Sequence, residues 1–434
     1  MKKKYIILSI ITLVLLITFV TSFNYFKPSN NYVEDNVNNQ TKIIKGISMN
    51  LEQTVGAGDY KTVTQSNWPK EGYKFNSNLS RCENGSELSW DDTNKAVVVS
   101  GNLTDKCYVY FDIVPTLSTL CRNSDILASC IKKYGDIGST VSNIYIHDKN
   151  HDETYYAGID DNSYRYAGPS NEVNNFVCFG TNVSPCPTDN LYRIIGVIDD
   201  KVKLIKYDYA TSTLLGTDGG YKSSQTPDAS YYKGNLTTID VYSWNTTAFN
   251  VWIYDNGVYD NYSRLNKINL NTNFINNIGS TWAEKIATTT WKIGGNTSDK
   301  IYNEFPLLVY ENEILNPAPG DSESVKKTEY NAKIGLMYVS DYGYAASPGA
   351  WELLTMSEYG EDVAVNNNWM YMGFNEWTIT RVSELSNAFF VDNGGYVGHG
   401  IVTDNLGVRP VFFLDTSVTY VSGDGTQSSP IRIS

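Results

Sequence analysis

Clustered positive charge is missing from this chain. Its 434 residues hold 34 lysines and arginines against 47 acidic residues, a formal charge of −13 at pH 7, with both signs dispersed. Nucleic-acid affinity rests on basic clusters that neutralise phosphates, so nucleic acid is excluded as a partner. The same deficit excludes a peripheral grip on an anionic membrane surface. Histidine is scarce as well: His147, His151 and His399 are the only three. No Gly-x-Ser-x-Gly elbow, Ser-x-x-Lys signature or phosphate loop stands in a context that would let it work, and no cofactor is implied.

Long apolar runs are also few. The one that stands out, Tyr5 to Val20, follows three lysines at the start of the chain. As a helix it would rise about 24 to 27 Å, just short of the ~30 Å hydrocarbon core. Residues 1–26 therefore read as an export segment with two possible fates. Val20 and Ser22 suit a signal-peptidase site, whereas Phe23, Tyr25 and Phe26 before Lys27 suit the aromatic belt of a retained membrane anchor. Either fate leaves the rest of the chain outside the plasma membrane, tethered or secreted. Residues 27–45, with "KPSNNYVEDNVNNQTK", are polar and Asn-rich and read as a tether.

Six cysteines suit that address, since an even count in an exported chain reads as disulfides. Adjacent pairing gives Cys82–Cys107, Cys121–Cys130 and Cys178–Cys186. The last pair brackets "FGTNVSP", a turn-rich loop between two strand-like runs. In one continuous helix Cys121 and Cys130 would lie about 13 Å apart, beyond the ~7 Å Cα limit. They can pair only if the helix starts after Cys121, with Ser124-Asp125 as its cap and Gly135 as its stop.

Past the tether, residues 46–114 alternate strand and turn through "GYKFN", "SELSWDDTNKAVVVSG" and "KCYVYFDIV", which predicts a small all-β module clipped by Cys82–Cys107. Residues 115–434 read as one large α+β unit, rich in loops. "NLYRIIGVIDDKVKLIKYD" predicts a hairpin turning at Asp199-Asp200. In "TNFINNIGSTWAEKIATTTW", Phe274, Ile278, Trp282 and Ile286 recur at every fourth position and predict a helix stopped at Gly294-Gly295. "AKIGLMYVSDYGYA" and "GVRPVFFLDTSVTYV" read as inner strands.

The closing strings "NEWTITRVSELSNAFFVDNGGYVGHG" and "DNLGVRPVFFLDTSVTYVSGDGTQSSPIRIS" resemble a family of exported proteins of unassigned function from low-GC Gram-positive bacteria. The likeness takes in "NSYRYAG", "NNFVCFG", "PCPTDNLYRIIGV", "STWAEKIATTTWKIGG" and "KIGLMYVSDYGYAASPGAW", hence roughly residues 115–434. That family in turn resembles a branch of the C-type-lectin-like superfamily, which also holds the formylglycine-generating enzymes. The shared element is the closing Gly407-Val408-Arg409. The resemblance implies a C-type-lectin-like head in which Arg409 is a structural hub that hydrogen-bonds loop carbonyls; the other reading is a ligand-gripping cation. Arg381, in "TITR", and Trp377 are assigned structural roles on the same footing. The formylglycine-generating kind needs a late cysteine pair, and no cysteine follows Cys186. The Glu-Pro-Asn, Gln-Pro-Asp and Trp-Asn-Asp signatures of calcium-dependent lectins are missing too.

Weaker signals remain. "HDKNHDE" spells His-x-x-x-His-x-Glu, so His147, His151 and Glu153 could meet a metal on a helix. Asp148, Asn150 and Asp152 form a D-x-N-x-D run, but Glu153 takes the place where a calcium loop needs Gly. The competing reading is a solvated polar turn between two strand ends. Trp244, Trp252, Tyr254 and Tyr259 crowd "DVYSWNTTAFNVWIYDNGVYDNY" and could stack on sugars or a partner protein, as could Tyr396 and His399 in "NAFFVDNGGYVGHGIVTDN". Genome composition alone can enrich Tyr and Asn in this way. Two functions follow: a surface-displayed recognition protein for glycan or protein, and an extracellular hydrolase or other enzyme acting on a cell-wall or host polymer.

Overall fold

The computed structural model describes residues 46–63, 72–101, 105–151, 158–253, 262–319, 327–360, 363, 366–383 and 386–434. The export segment and the tether lie outside the described residues. Among those described, no helix is long and apolar enough to cross a membrane. The chain divides into two units, Met1–Pro115 and Thr116–Ser434.

Among its described residues the smaller unit is strand and turn. Its strands are β1 (Ile47–Glu52), β2 (Tyr60–Val63), β3 (Tyr73–Phe75), β4 (Arg81–Cys82), β5 (Glu87–Asp91), β6 (Ala96–Ser100) and β7 (Cys107–Ile113). The sheet order is β2-β1-β7-β3 with β4 also on β7, and β5 and β6 form a separate hairpin around "DTNK". First and last strands pair in parallel, Ile47 opposite Cys107. Alternation in "CYVYFDI" puts Val109 and Phe111 inward against Met49, Leu51 and Val97. The Trp90 ring packs on Phe111 with centroids 5.4 Å apart. Cys82 lies opposite Cys107 in the β4–β7 ladder and is bonded to it.

The larger unit is mixed α+β, built mostly of strands and loops. It opens with one turn of helix, Leu117–Leu120, which ends at Cys121. Helix α1 (Leu127–Gly135) then carries Cys130, so Cys121 stands off the helix and the two Cα atoms come within 5.7 Å to form a disulfide. The start lies slightly later than the sequence suggested. Asp125 does not cap α1; its carboxylate accepts the N–H of Arg122 instead (2.8 Å).

The central sheet contains β8 (Ile144–His147), β9 (Ser163–Tyr166), β10 (Phe176–Cys178), β11 (Leu191–Ile198) and β12 (Lys201–Lys206). Later segments add β13 (Ile334–Gly335) and β17 (Val411–Phe413), in the order β13-β17-β12-β11-β9-β8, with β10 on β11. The β11–β12 hairpin turns at Asp199 and Asp200, whose φ angles of 48° and 58° give the left-handed pair that a two-residue turn needs. A second sheet is formed by Gly295–Asn296, β14 (Glu376–Val382), β15 (Asn387–Val391) and β16 (Val397–Ile401). Cys178 and Cys186 are bonded across the loop between β10 and β11.

Two sequence expectations need correction. The stripe from Phe274 to Ile286 is not one helix. A wide helix, α2 (Leu265–Phe274), begins earlier, one more turn follows at Ile275–Asn277, and Gly279 at φ +82° breaks the axis before Ser280–Ala283. The chain is already extended at Thr289–Lys292, so Gly294-Gly295 stops nothing. The second correction concerns "AKIGLMYVSDYGYA", which pairs at Ala332 and at Ile334–Gly335 and then turns into helix α3 (Val339–Tyr344). Its β-branched and aromatic residues disguise a well-capped start. The Asp341 carboxylate accepts the Tyr338 N–H (2.9 Å), while Glu313 accepts those of Val339 and Ser340, each at 2.9 Å.

Candidate functional site

Arg409 lies just ahead of β17 and is buried. Its Nε donates to Glu376 Oε2 (2.6 Å) and its Nη2 to Glu376 Oε1 (2.5 Å) and to the Met370 carbonyl (2.7 Å). Burial opposes the charge, but the Glu376 carboxylate outweighs it and holds the guanidinium pKa above its usual value. The geometry is a two-pronged pair that ties the closing strand to β14. Arg381 is buried as well and donates from Nε to the Ile293 carbonyl (2.7 Å). Trp377 is buried and donates to the Tyr242 carbonyl (2.8 Å).

The two tryptophans of the aromatic crowd are not a surface patch. Trp244 and Trp252 are 0% and 2% exposed, their rings 4.7 Å apart, and Trp244 donates its indole N–H to the Thr378 carbonyl (3.0 Å). Neither offers a ring face to a ligand, because "SWNTTAFNVW" folds both indoles into the core. Tyr254 and Tyr259 lie outside the described residues. Tyr396 and His399 are exposed, and the His399 ring lies 5.9 Å from Phe389 and 6.2 Å from Tyr302.

The His-x-x-x-His segment does not converge. His147 ends β8 and is fully buried, its ring 5.1 Å from Tyr344 and 5.4 Å from Trp351. His151 is exposed, and its Nδ1 lies 2.8 Å from Asp148 Oδ1. Asp148 spends the same oxygen on the N–H groups of Asn150 and His151, at 2.9 and 3.0 Å. Asp152 and Glu153 lie outside the described residues. Among the described residues no cluster of three or more His, Cys, Asp or Glu could hold a metal.

Chemistry gathers instead at two places that the sequence motifs did not mark. The first is a row across the central sheet. Arg165 on β9, Gly196 on β11, Lys203 on β12 and Phe413 on β17 are successive partners. Gly196 follows a register shift in β11, and a Cβ there would strike the Tyr164 carbonyl, so no side chain separates the two cations. Asp341 from the first turn of α3 enters this notch. Its Oδ2 lies 2.5 Å from Lys203 Nζ and its Oδ1 3.4 Å from Arg165 Nη1. Arg165 also pairs with Asp161 (3.0 Å), which accepts from the Tyr310 hydroxyl (3.1 Å). Lys203 Nζ faces the rings of Tyr338, Phe413 and Trp291 at 4.7, 5.4 and 5.8 Å. Burial pulls this ammonium below its usual pKa even with Asp341 beside it. A cavity of about 170 Å³ opens onto the row.

The second place is a cleft of about 390 Å³, within the range of small-ligand sites. Val173, Phe176 and Met372 give it an apolar floor, and Asn171, Asn174, Tyr207, Lys233, Tyr371 and Gln427 supply polar groups. Arg193, from β11, lies directly beneath. Its guanidinium is sandwiched between Phe176 (4.5 Å) and Trp369 (4.7 Å). It donates to Asn175 Oδ1 (2.5 Å), Ser170 Oγ (2.8 Å) and the carbonyls of Val173 (2.8 Å) and Trp369 (3.1 Å). All are neutral acceptors, and burial draws its pKa downward. The sequence held one usable signal for both places: a charge inside an apolar strand, "YRIIGV" and "KVKLIK", the same signal that singled out Arg409.

No family model, curated protein or solved structure matches this chain.

Proposed function

We propose that this chain is an exported recognition protein whose Thr116–Ser434 unit is a C-type-lectin-like head that binds a glycan in the cleft above Arg193. The observation that carries this reading is the cleft itself. Amide, phenol and ammonium groups surround an apolar floor, which is the chemistry that grips sugar hydroxyls while a ring or methyl face covers the carbon skeleton. Three disulfides, which leave no cysteine free, support an oxidising address outside the plasma membrane. Residues 1–26 would supply the membrane attachment. The C-type-lectin-like assignment rests on the resemblance of the closing strings and on Arg409, which bonds a loop carbonyl as that resemblance implies.

A glycan array probed with the purified exported chain tests the reading. Binding that survives EDTA, and that drops at least about tenfold in Asn171→Ala and Gln427→Ala, is the expected result, since each lost polar contact in a desolvated site costs about 1 to 3 kcal/mol. Retention that is unchanged in both variants, or turnover of a cell-wall fragment abolished by replacing one carboxylate, would overturn it.

A further inference from the structure

A lysine ammonium and an aspartate carboxylate buried in direct contact can remain an ion pair or condense. We infer that Lys203 and Asp341 are joined in the mature protein by an intramolecular amide bond between Nζ and Cγ. In the step itself the ammonium passes a proton to Oδ2, and the neutral amine attacks Cγ. The N–C bond forms, the Cγ–Oδ2 bond breaks, and Oδ2 leaves with a second amine proton as one water. No oxidant and no activated co-reactant is needed.

Four features carry this. Lys203 Nζ lies 2.5 Å from Asp341 Oδ2, the oxygen that takes the proton and leaves, and both side chains are 2% exposed. Both residues sit on fixed elements, Lys203 within β12 and Asp341 in the capped first turn of α3, which holds a near-attack geometry and can be worth an effective concentration of roughly 10⁵ M or more. Three aromatic rings flank Nζ and leave the two side chains almost no bulk solvent, which disfavours the charged pair. Arg165 stands 3.4 Å from Oδ1, the oxygen that must carry negative charge in the tetrahedral intermediate.

The surroundings fit the product better than the reactants. Condensation removes one buried cation and one buried anion, and it leaves Arg165 paired with Asp161 at 3.0 Å. Glu313 caps the same helix end as Asp341 through the N–H groups of Val339 and Ser340, and burial pushes its carboxyl up to about 7. The Arg409–Glu376 pair is the internal control. It is as close and as buried, but a guanidinium keeps its proton and cannot act as the nucleophile.

Peptide mapping by mass spectrometry of the full exported chain, after reduction and alkylation, decides the matter. The expected result is a branched peptide joining the Lys203 and Asp341 segments, one water lighter than their sum and absent from Lys203→Arg and Asp341→Ala. If either variant fails to accumulate, the wild-type map still decides. Linear peptides carrying free Lys203 and free Asp341, with no branched species, would overturn the inference.

Discussion

At the scale of single residues, this protein buries charge and then has to balance it. Glu313 is the sharpest case, because it accepts from Val339, Ser340 and the Thr380 hydroxyl and yet burial dominates, raising its carboxyl from 4.5 to about 7. A raised acid stabilises the fold while it is protonated. Its contribution is full below about pH 4.5, where the unfolded chain is protonated too, and is lost as pH rises through about 7. Urea titrations of the wild type and Glu313→Gln at pH 4.5 and pH 8 should therefore diverge. We expect the wild type to lose roughly 3 kcal/mol relative to the variant over that interval, at about 1.4 kcal/mol per pKa unit. Parallel curves would remove the assignment. Arg409 was legible in the sequence as a buried charge, because a cation set between an apolar residue and a proline in an inner strand has to be buried together with a partner. That partner, Glu376, was not legible, since nothing local marks one carboxylate among 47 as the one that crosses to it.

At the scale of elements, the hairpins and helix α1 were readable, whereas the later helices were not. "IDDK" names its own turn because Asp tolerates the left-handed conformation, and the structure places both aspartates there. Helix α3 was hidden because "MYVSDYGYA" has a strand-like composition: its one local cap, Asp341, stands among β-branched and aromatic residues, and its other cap, Glu313, comes from a segment 26 residues away. The indoles of Trp244 and Trp252 were misread for a related reason. Polar neighbours suggested a surface, but those neighbours bond inward, as when Asn250 donates to the Val382 carbonyl at 2.6 Å. The notch at Gly196 is the element on which the charged row depends. Gly196→Ala would drive a methyl into the Tyr164 carbonyl and force β9 away from β11. Thermal unfolding of that variant should report a loss of about 1 to 3 kcal/mol, the usual penalty of an overfilled core. An unchanged midpoint would mean that the strands yield without cost.

At the scale of the whole molecule, the smaller unit depends most on its covalent clip. Among its described residues one cluster of five buried apolar side chains forms the core, and the Cys82–Cys107 bridge closes a 25-residue separation. Replacing both cysteines by alanine should remove about 3 kcal/mol on loop-closure grounds. Limited proteolysis would then cut within residues 46–115 much sooner, while cuts within 116–434, a unit with two bridges of its own, keep their rate. Equal acceleration in both would contradict the assignment of that bridge to the smaller unit's stability.

The parallel pairing of β1 with β7 has a mechanical meaning. The chain comes in alongside Cys107 and departs past Ile113, so the two connections leave from opposite ends of a shared ladder, roughly 20 Å apart at about 3.3 Å per residue. Tension drawn along the backbone would slide these strands lengthwise and strain every rung of that ladder at once, rather than peel them open one rung at a time.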